Sequence, residues 1–163
     1  MSAVLDVPIA HLATTLAPLR GPRSDAASGL APLPLRVAAT DAGTYEVLDG
    51  FKRLAHWTRA GHTHVSVVVE DAPGVVRKAR LLEANAPRRT LSPMDEARVV
   101  RSLADDDPLT PTQIAKRLDR GRGWVDRRLT LGCRLAPAVA AHIEAGRLSA
   151  TTAHTLAAFP RAE

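Results

Sequence analysis

The sequence predicts an α+β protein in which a small mixed-sheet domain precedes an all-α domain. Two observations carry this. Apolar and polar residues alternate through much of the first half, most clearly in His64 to Glu70, where Val65, Val67, Val68 and Val69 crowd one short run. From Ser92 onward the apolar spacing turns helical and stays so, with caps and prolines marking the starts. The boundary falls between the two patterns, giving domains 1–86 and 87–163.

In the first half, Val7 to Leu12 and Leu35 to Ala39 read as strands. Asp41 to Thr44 is a turn, and Tyr45 to Leu48 answers as the second arm of a hairpin. Phe51, Leu54, Ala55 and Thr58 then fall at helical spacing and end at Gly61, a natural residue to stop a helix. The strand His64 to Glu70 follows, broken by Asp71-Ala-Pro-Gly74, and a helix runs from about Val75 to Glu83. Arg20 to Pro34, rich in Gly, Pro, Ser and Ala, reads as a loop or a poorly formed helix.

In the second half, Ser92-Pro-Met-Asp95 sets a capping serine, a proline at the first helical position and an acid at the third, starting a helix that reaches about Leu103. Asp105-Asp-Asp-Pro108 closes it as a solvated loop. Thr110-Pro-Thr-Gln113 is a capping box for a short helix to Leu118. Asp119-Arg-Gly121 turns the chain into a helix from about Arg122 to Leu131. Two further helices are expected, Ala136 to Ala145 and Ser149 to Ala158.

Composition narrows the class. The chain has 163 residues, 45% apolar and 24% charged, values of an ordinary globular protein rather than a disordered one. Aromatics are only 3%, so the core is built from Ala, Leu and Val. The net charge of +5 and a pI of about 10.3 point to a polyanionic partner. The lone cysteine, Cys133, excludes an intrachain disulfide framework and a Cys-based zinc cluster, and reads as a small buried residue. No window approaches the apolar length of a membrane span. Met1 to Arg20 carries Asp6 and Pro8 and lacks a basic start, so no signal peptide is expected. A cytoplasmic protein with no membrane partner is expected.

The charge is concentrated. From Lys116 to Arg134 stand seven bases (Lys116, Arg117, Arg120, Arg122, Arg127, Arg128, Arg134) and two acids (Asp119, Asp126); seven minus two is +5, the whole net charge. The same segment, Gln113 to Leu131, has the spacing of a DNA-binding helix-turn-helix: Ala115 at the helix crossing, with Leu118 and Val125 packing between the helices. Asp119 occupies a turn position where glycine is common. Candidate contacts to double-stranded DNA are Gln113, Arg120, Arg122, Gly123, Trp124, Arg127 and Arg128, because Arg clamps phosphates and reads guanine edges. Trp124 either packs within the domain or stacks on a base.

A second constellation is Tyr45-Glu-Val-Leu-Asp-Gly-Phe-Lys-Arg53. A strand ends, Gly50 turns the backbone tightly, and a helix opens with Lys52 and Arg53 beside its unpaired amides. Such a mouth attracts anions. His56, His62 and His64 lie close in sequence, but no acid or Cys completes a zinc pattern, and a helix face and a loop explain them.

Taken together, these motifs resemble the ParB family, including its KorB-type plasmid regulators. Gly50-Phe-Lys-Arg53 stands in the place of the family's Gly-Glu-Arg-Arg signature, and Ala84-Asn85-Ala86-Pro87-Arg88 in that of its Glu-Asn-x-x-Arg motif. Leu91-Ser-Pro-Met-Asp-Glu-Ala97, the helix-turn-helix, and the run from Arg134-Leu-Ala-Pro-Ala-Val to Gly146-Arg-Leu-Ser149 are also similar to family sequence. The resemblance implies a ParB/sulfiredoxin-like first domain. Sulfiredoxin activity itself is excluded, because its cysteine would be required near Lys52. It implies nucleotide contacts at Gly50, Phe51, Lys52, Arg53, Asn85 and Arg88, with CTP and magnesium as cofactors and Asn85 beside the metal. It implies a homodimer on a palindromic DNA site, a partner ATPase, and a role in DNA partition, segregation or plasmid-type regulation. Two alternatives stay open: a CTP-hydrolysing switch, or a transposon-associated or transcriptional accessory without nucleotide turnover. Ala84 and Phe51 stand where the family has glutamates, so a non-catalytic DNA-binding protein, or a weak CTPase, is expected. The family's C-terminal dimerisation domain has no room here, so the chain is a fragment or a member that dimerises otherwise.

Overall fold

A computed structural model describes residues 4–21, 33–86 and 91–157 of the chain. They divide into two units, Met1–Pro18 with Pro22–Arg88, and Leu19–Gly21 with Arg89–Glu163.

The first unit is built on a five-stranded mixed sheet in the order β1-β5-β3-β4-β2. The strands are β1 (Val4–Pro8), β2 (Leu12–Ala13), β3 (Leu35–Ala39), β4 (Tyr45–Asp49) and β5 (His64–Glu70). β3 and β4 form the expected antiparallel hairpin, its turn tied by Thr40 N to Thr44 O at 2.9 Å. β3 pairs parallel with β5, Leu35 opposite Val67 and Val37 opposite Val69. On β5, Val65 and Val67 are buried while His64 and Ser66 are exposed, as the alternation required. Val7, Leu35, Val37, Val47, Leu54, Val65 and Val67 form one core cluster, with Phe51 and Trp57 packed at its border. Each Val or Leu so buried contributes about 1.5–3 kcal/mol.

The strand expected over Val7 to Leu12 is two strands. Pro8, at φ −58, ends β1 because it has no N–H to extend the ladder. A 3-10 turn over Ile9–His11 follows. The chain thereby leaves β5, and β2 pairs parallel with β4 at the other edge of the sheet. Two helices complete the unit, α1 (Phe51–Arg59) and α2 (Val76–Asn85). Most of the expected Arg20 to Pro34 loop lies outside the described residues.

The second unit is helical: α3 (Pro93–Asp105), α4 (Pro111–Arg117), α5 (Arg122–Arg134), α6 (Pro137–Glu144) and α7 (Ala150–Leu156). Ser92 and Thr110 both close reciprocal capping boxes, with Asp95 and Gln113, and proline opens each helix. The core joins Met94, Ala97, Leu131, Ile143 and Ala153. Gly132 lets α5 approach α3 closely: a Cβ there would lie 3.2 Å from the Ala97 carbonyl oxygen. Cys133 is exposed, against the expectation of a buried residue. Leu131 and Leu135, two positions to either side, turn toward the core, so Cys133 falls on the opposite face. Among the described residues no helix is long and apolar enough to cross a membrane.

Candidate functional site

Helices α4 and α5 form the helix-turn-helix. Ala115, Leu118 and Val125 are all buried where the two helices meet. The turn is a Schellman motif: Arg120 N donates to Ala115 O at 3.0 Å, and Asp119 takes the left-handed backbone at φ 49. Asp119 is the one non-glycine residue with positive φ among those described. The helix therefore ends where glycine would serve best, and aspartate is one of the few other residues that tolerate the position.

The basic side chains on this unit differ in how they are held. Arg122 donates through Nε to Asp126 Oδ1 at 2.9 Å and through Nη1 to Thr112 Oγ1 at 2.9 Å, tying the first helix to the second. Arg128 donates to Glu96 of α3 through Nε at 2.7 Å, and its guanidinium stands 5.0 Å from the Trp124 ring centroid. Arg120 stands 5.8 Å from the same ring. Trp124 is thus half-buried within a cation–π cluster, which favours its packing role. Gln113 closes the capping box with its Oε1, accepting from Thr110 N at 2.8 Å. Arg127 is exposed beside Gly123, and Lys116, Arg117 and Arg134 are exposed as well. The partners Glu96, Thr112 and Asp126 were not singled out from the sequence. The Arg122–Asp126 spacing was legible as a helical i,i+4 pair, whereas nothing local announces a contact between Glu96 and Arg128.

The second constellation lies at the end of β4. Gly50 caps α1 at φ 99, in a conformation that suits glycine. A Cβ there would collide with Leu35 and lie 2.9 Å from Arg53 Nη2. Arg53 is buried; it donates to Asp49 Oδ2 at 3.2 Å and to the carbonyls of Leu33 and Pro34. Lys52 is exposed and Phe51 borders the core. Asn85 is 1% exposed, and its Nδ2 donates to Leu48 O at 3.2 Å and Leu81 O at 2.7 Å. The fold thus brings Asn85 beside the strand end that carries Gly50. Arg88 lies outside the described residues.

Magnesium prefers carboxylate and water oxygens. Ala84, where the resemblance implies a glutamate, is buried and offers no side-chain oxygen. Glu83 projects on the exposed side, paired with Arg80, whose pKa its hydrogen bond and charge hold above the ordinary value. Among the described residues no group of three His, Cys, Asp or Glu side chains could hold a metal, and the three histidines are exposed. The donors among the described residues do not fit magnesium.

Fold and site together define a helix-turn-helix protein with an arginine-rich second helix, joined to a small mixed-sheet domain. Residues 89–163 match the family model for the ParB HTH domain. The chain is 31% identical over 98 residues to the probable chromosome-partitioning protein ParB of Xylella fastidiosa, covering 60% of this chain and 32% of that protein. It is 32% identical over 123 residues to the chromosome-partitioning protein Spo0J of Thermus thermophilus, covering 76% of this chain and 45% of that one. The chain therefore spans less than half the length of these relatives. Among solved structures, the C-terminally truncated ParB of Caulobacter crescentus, complexed to the centromeric parS site, superposes with a TM-score of 0.53. Its identity is 23%, over 96% of this chain and 86% of that one, a likeness of fold. The chain belongs to the ParB family.

Proposed function

We propose that the chain is a sequence-specific DNA-binding protein of ParB type, acting in DNA partition or a related regulatory process. The observation that carries this reading is the placement of the net charge. Lys116, Arg117, Arg127 and Arg134 project into solvent from the two helices of the helix-turn-helix, where the motif meets DNA. The relative crystallised on parS supports the same reading. Two copies of the chain on a palindromic site, one second helix per half-site, are the arrangement it entails, with a partner ATPase left to the partition role. The test is fluorescence anisotropy of the full chain on duplex DNA across a salt series. Binding should weaken linearly in log salt, and each of Lys116→Ala, Arg117→Ala and Arg134→Ala that removes a phosphate contact should lower the slope by ~1. Salt-independent or absent binding to duplex DNA defeats the reading.

For the first domain we infer nucleotide contact by charge at the mouth of α1 and no turnover. Lys52 and the first amides of α1 can attract a triphosphate such as CTP, while Ala84 withholds the carboxylate that a metal would need. Phosphate release measured with CTP, magnesium and DNA present should stay at background; robust release removes this part of the proposal.

A further inference from the structure

The arginines in the first half of α5 divide into two engaged inside the domain, Arg122 and Arg128, and one that is not, Arg127, and the division carries a specific role. Arg122 is tied to Asp126 and Thr112, and Arg128 to Glu96, so each has acceptors of its own. Arg120 and Arg128 both stand within cation–π reach of Trp124. Arg127 makes no ion pair or hydrogen bond among the described residues, and it is exposed. Lys116 and Arg117 belong to the first helix and Arg134 to the far end of α5, the regions that meet backbone phosphates when such a motif docks. Arg127 alone combines a free guanidinium with a place in the first half of α5, the part that meets base edges.

Its direction supports this. Side chains on a helix lean toward the N-terminus, and Arg127 does so: its Nη1 would lie 3.5 Å from a Cβ placed on Gly123, one turn earlier. Gly121 and Gly123 bring no side chain to that end of the helix, and nothing lies within 4 Å of a Cβ built at Gly121. At Gly121 and Gly123 the opening of α5 is therefore uncovered backbone, and the unengaged guanidinium of Arg127 lies over the second of these glycines.

We propose that Arg127 is the specificity-determining residue of this helix, reading a guanine through its O6 and N7 acceptors, while Arg122 and Arg128 are positioning residues that fix the angle of α5. The planar fork of Arg matches that acceptor pair. The assignment rests on the DNA-binding reading above, and its test keeps the two apart.

The full chain and its Arg127→Ala and Arg127→Lys variants are each put through selection from duplexes with a randomised central segment. The selected site is then titrated against a scrambled duplex over a salt series. The parent should enrich a motif containing guanine. Arg127→Ala should keep the parent's melting temperature and lose preference at one guanine per half-site. Its affinity for the parental site should fall roughly 5- to 150-fold, with a much smaller change on the scrambled duplex. Arg127→Lys should hold the scrambled duplex like the parent and still lose that guanine. Enrichment of an unchanged motif by Arg127→Ala overturns the assignment. So does uniform weakening on both duplexes with a salt slope reduced by ~1, which marks a phosphate contact. A parent that binds DNA but enriches no motif overturns it as well while leaving DNA binding intact, and a parent that binds no duplex overturns both.

Discussion

Arg128 closes on a single oxygen of Glu96 with two nitrogens, Nε at 2.7 Å and Nη2 at 2.6 Å, and so joins α5 to α3. The arginine side chain is 16% exposed and the glutamate 29%, so water screens the pair less than it would a surface pair. A residue carried by the sequence pattern as a DNA contact is thus part of the scaffold that sets the second helix.

Arg128→Ala should therefore lower stability by about 1–3 kcal/mol, because it leaves Glu96 without its charged donor and removes the nearer of Trp124's two guanidinium neighbours. Urea unfolding of the variant and of Glu96→Gln would show it as a reduced midpoint. A fully retained midpoint in Arg128→Ala would show that the pair is idle.

Gly50→Ala tests the mouth of α1. A methyl there meets Leu35 and Arg53 at a backbone angle of φ +99. The left-handed cost and the overpacking together should destabilise the first unit by at least ~2 kcal/mol. Thermal unfolding followed by Trp57 fluorescence in a Trp124→Phe background reads the first unit separately.

Much of the fold was legible where its causes are local. The caps at Ser92 and Thr110, the prolines behind them and the Asp41–Thr44 turn act over three or four residues, and each element lies where its signal stood. The crossing of α4 and α5 was legible for a similar reason, since Ala115, Leu118 and Val125 belong to one short supersecondary unit. The rest depends on distant partners. The break of the first strand reflects a choice between two sheet edges that no window of sequence contains. Arg53 carried the same charge signal as Lys52, and the carbonyls of Leu33 and Pro34, distant in sequence, join Asp49 in holding it inward. Arg128 and Arg127 are adjacent and identical in type; a glutamate on another helix separates their roles.

Asp119→Gly should stabilise the helix-turn-helix by about 0.5–1 kcal/mol, since glycine adopts φ 49 without the penalty a Cβ incurs. Asp119→Val should do the reverse by a larger amount, being β-branched at the same angle. Melting temperatures of the two variants in opposite directions would confirm that backbone conformation, rather than the lost carboxylate, governs the site.

Gly123→Ala should raise helical stability by up to ~1 kcal/mol, because a Cβ at 123 meets Arg127 Nη1 at 3.5 Å, an ordinary contact, and alanine favours the helix. Circular dichroism melts are the measurement, and a lower melting temperature would show that the contact with Arg127 is not tolerated.

The pairing of β1 with β5 has a consequence during synthesis. Val4 lies opposite Val68, and 68 minus 4 is a separation of 64 residues. Within this unit β1 leaves the ribosome before the other described strands and has its ladder partner among the unit's last segments, and closing so long a loop is entropically slow. Until His64–Glu70 has emerged, β1 travels as a lone strand with Val4 and Leu5 bare, and Val4 is still 57% exposed in the finished fold. The helical unit, where Ser92, Thr110 and Ser149 each sign a helix start locally, has no comparable wait. The nascent chain is therefore most prone to wrong strand pairing before residue 70 appears, the interval in which a holdase has most to protect.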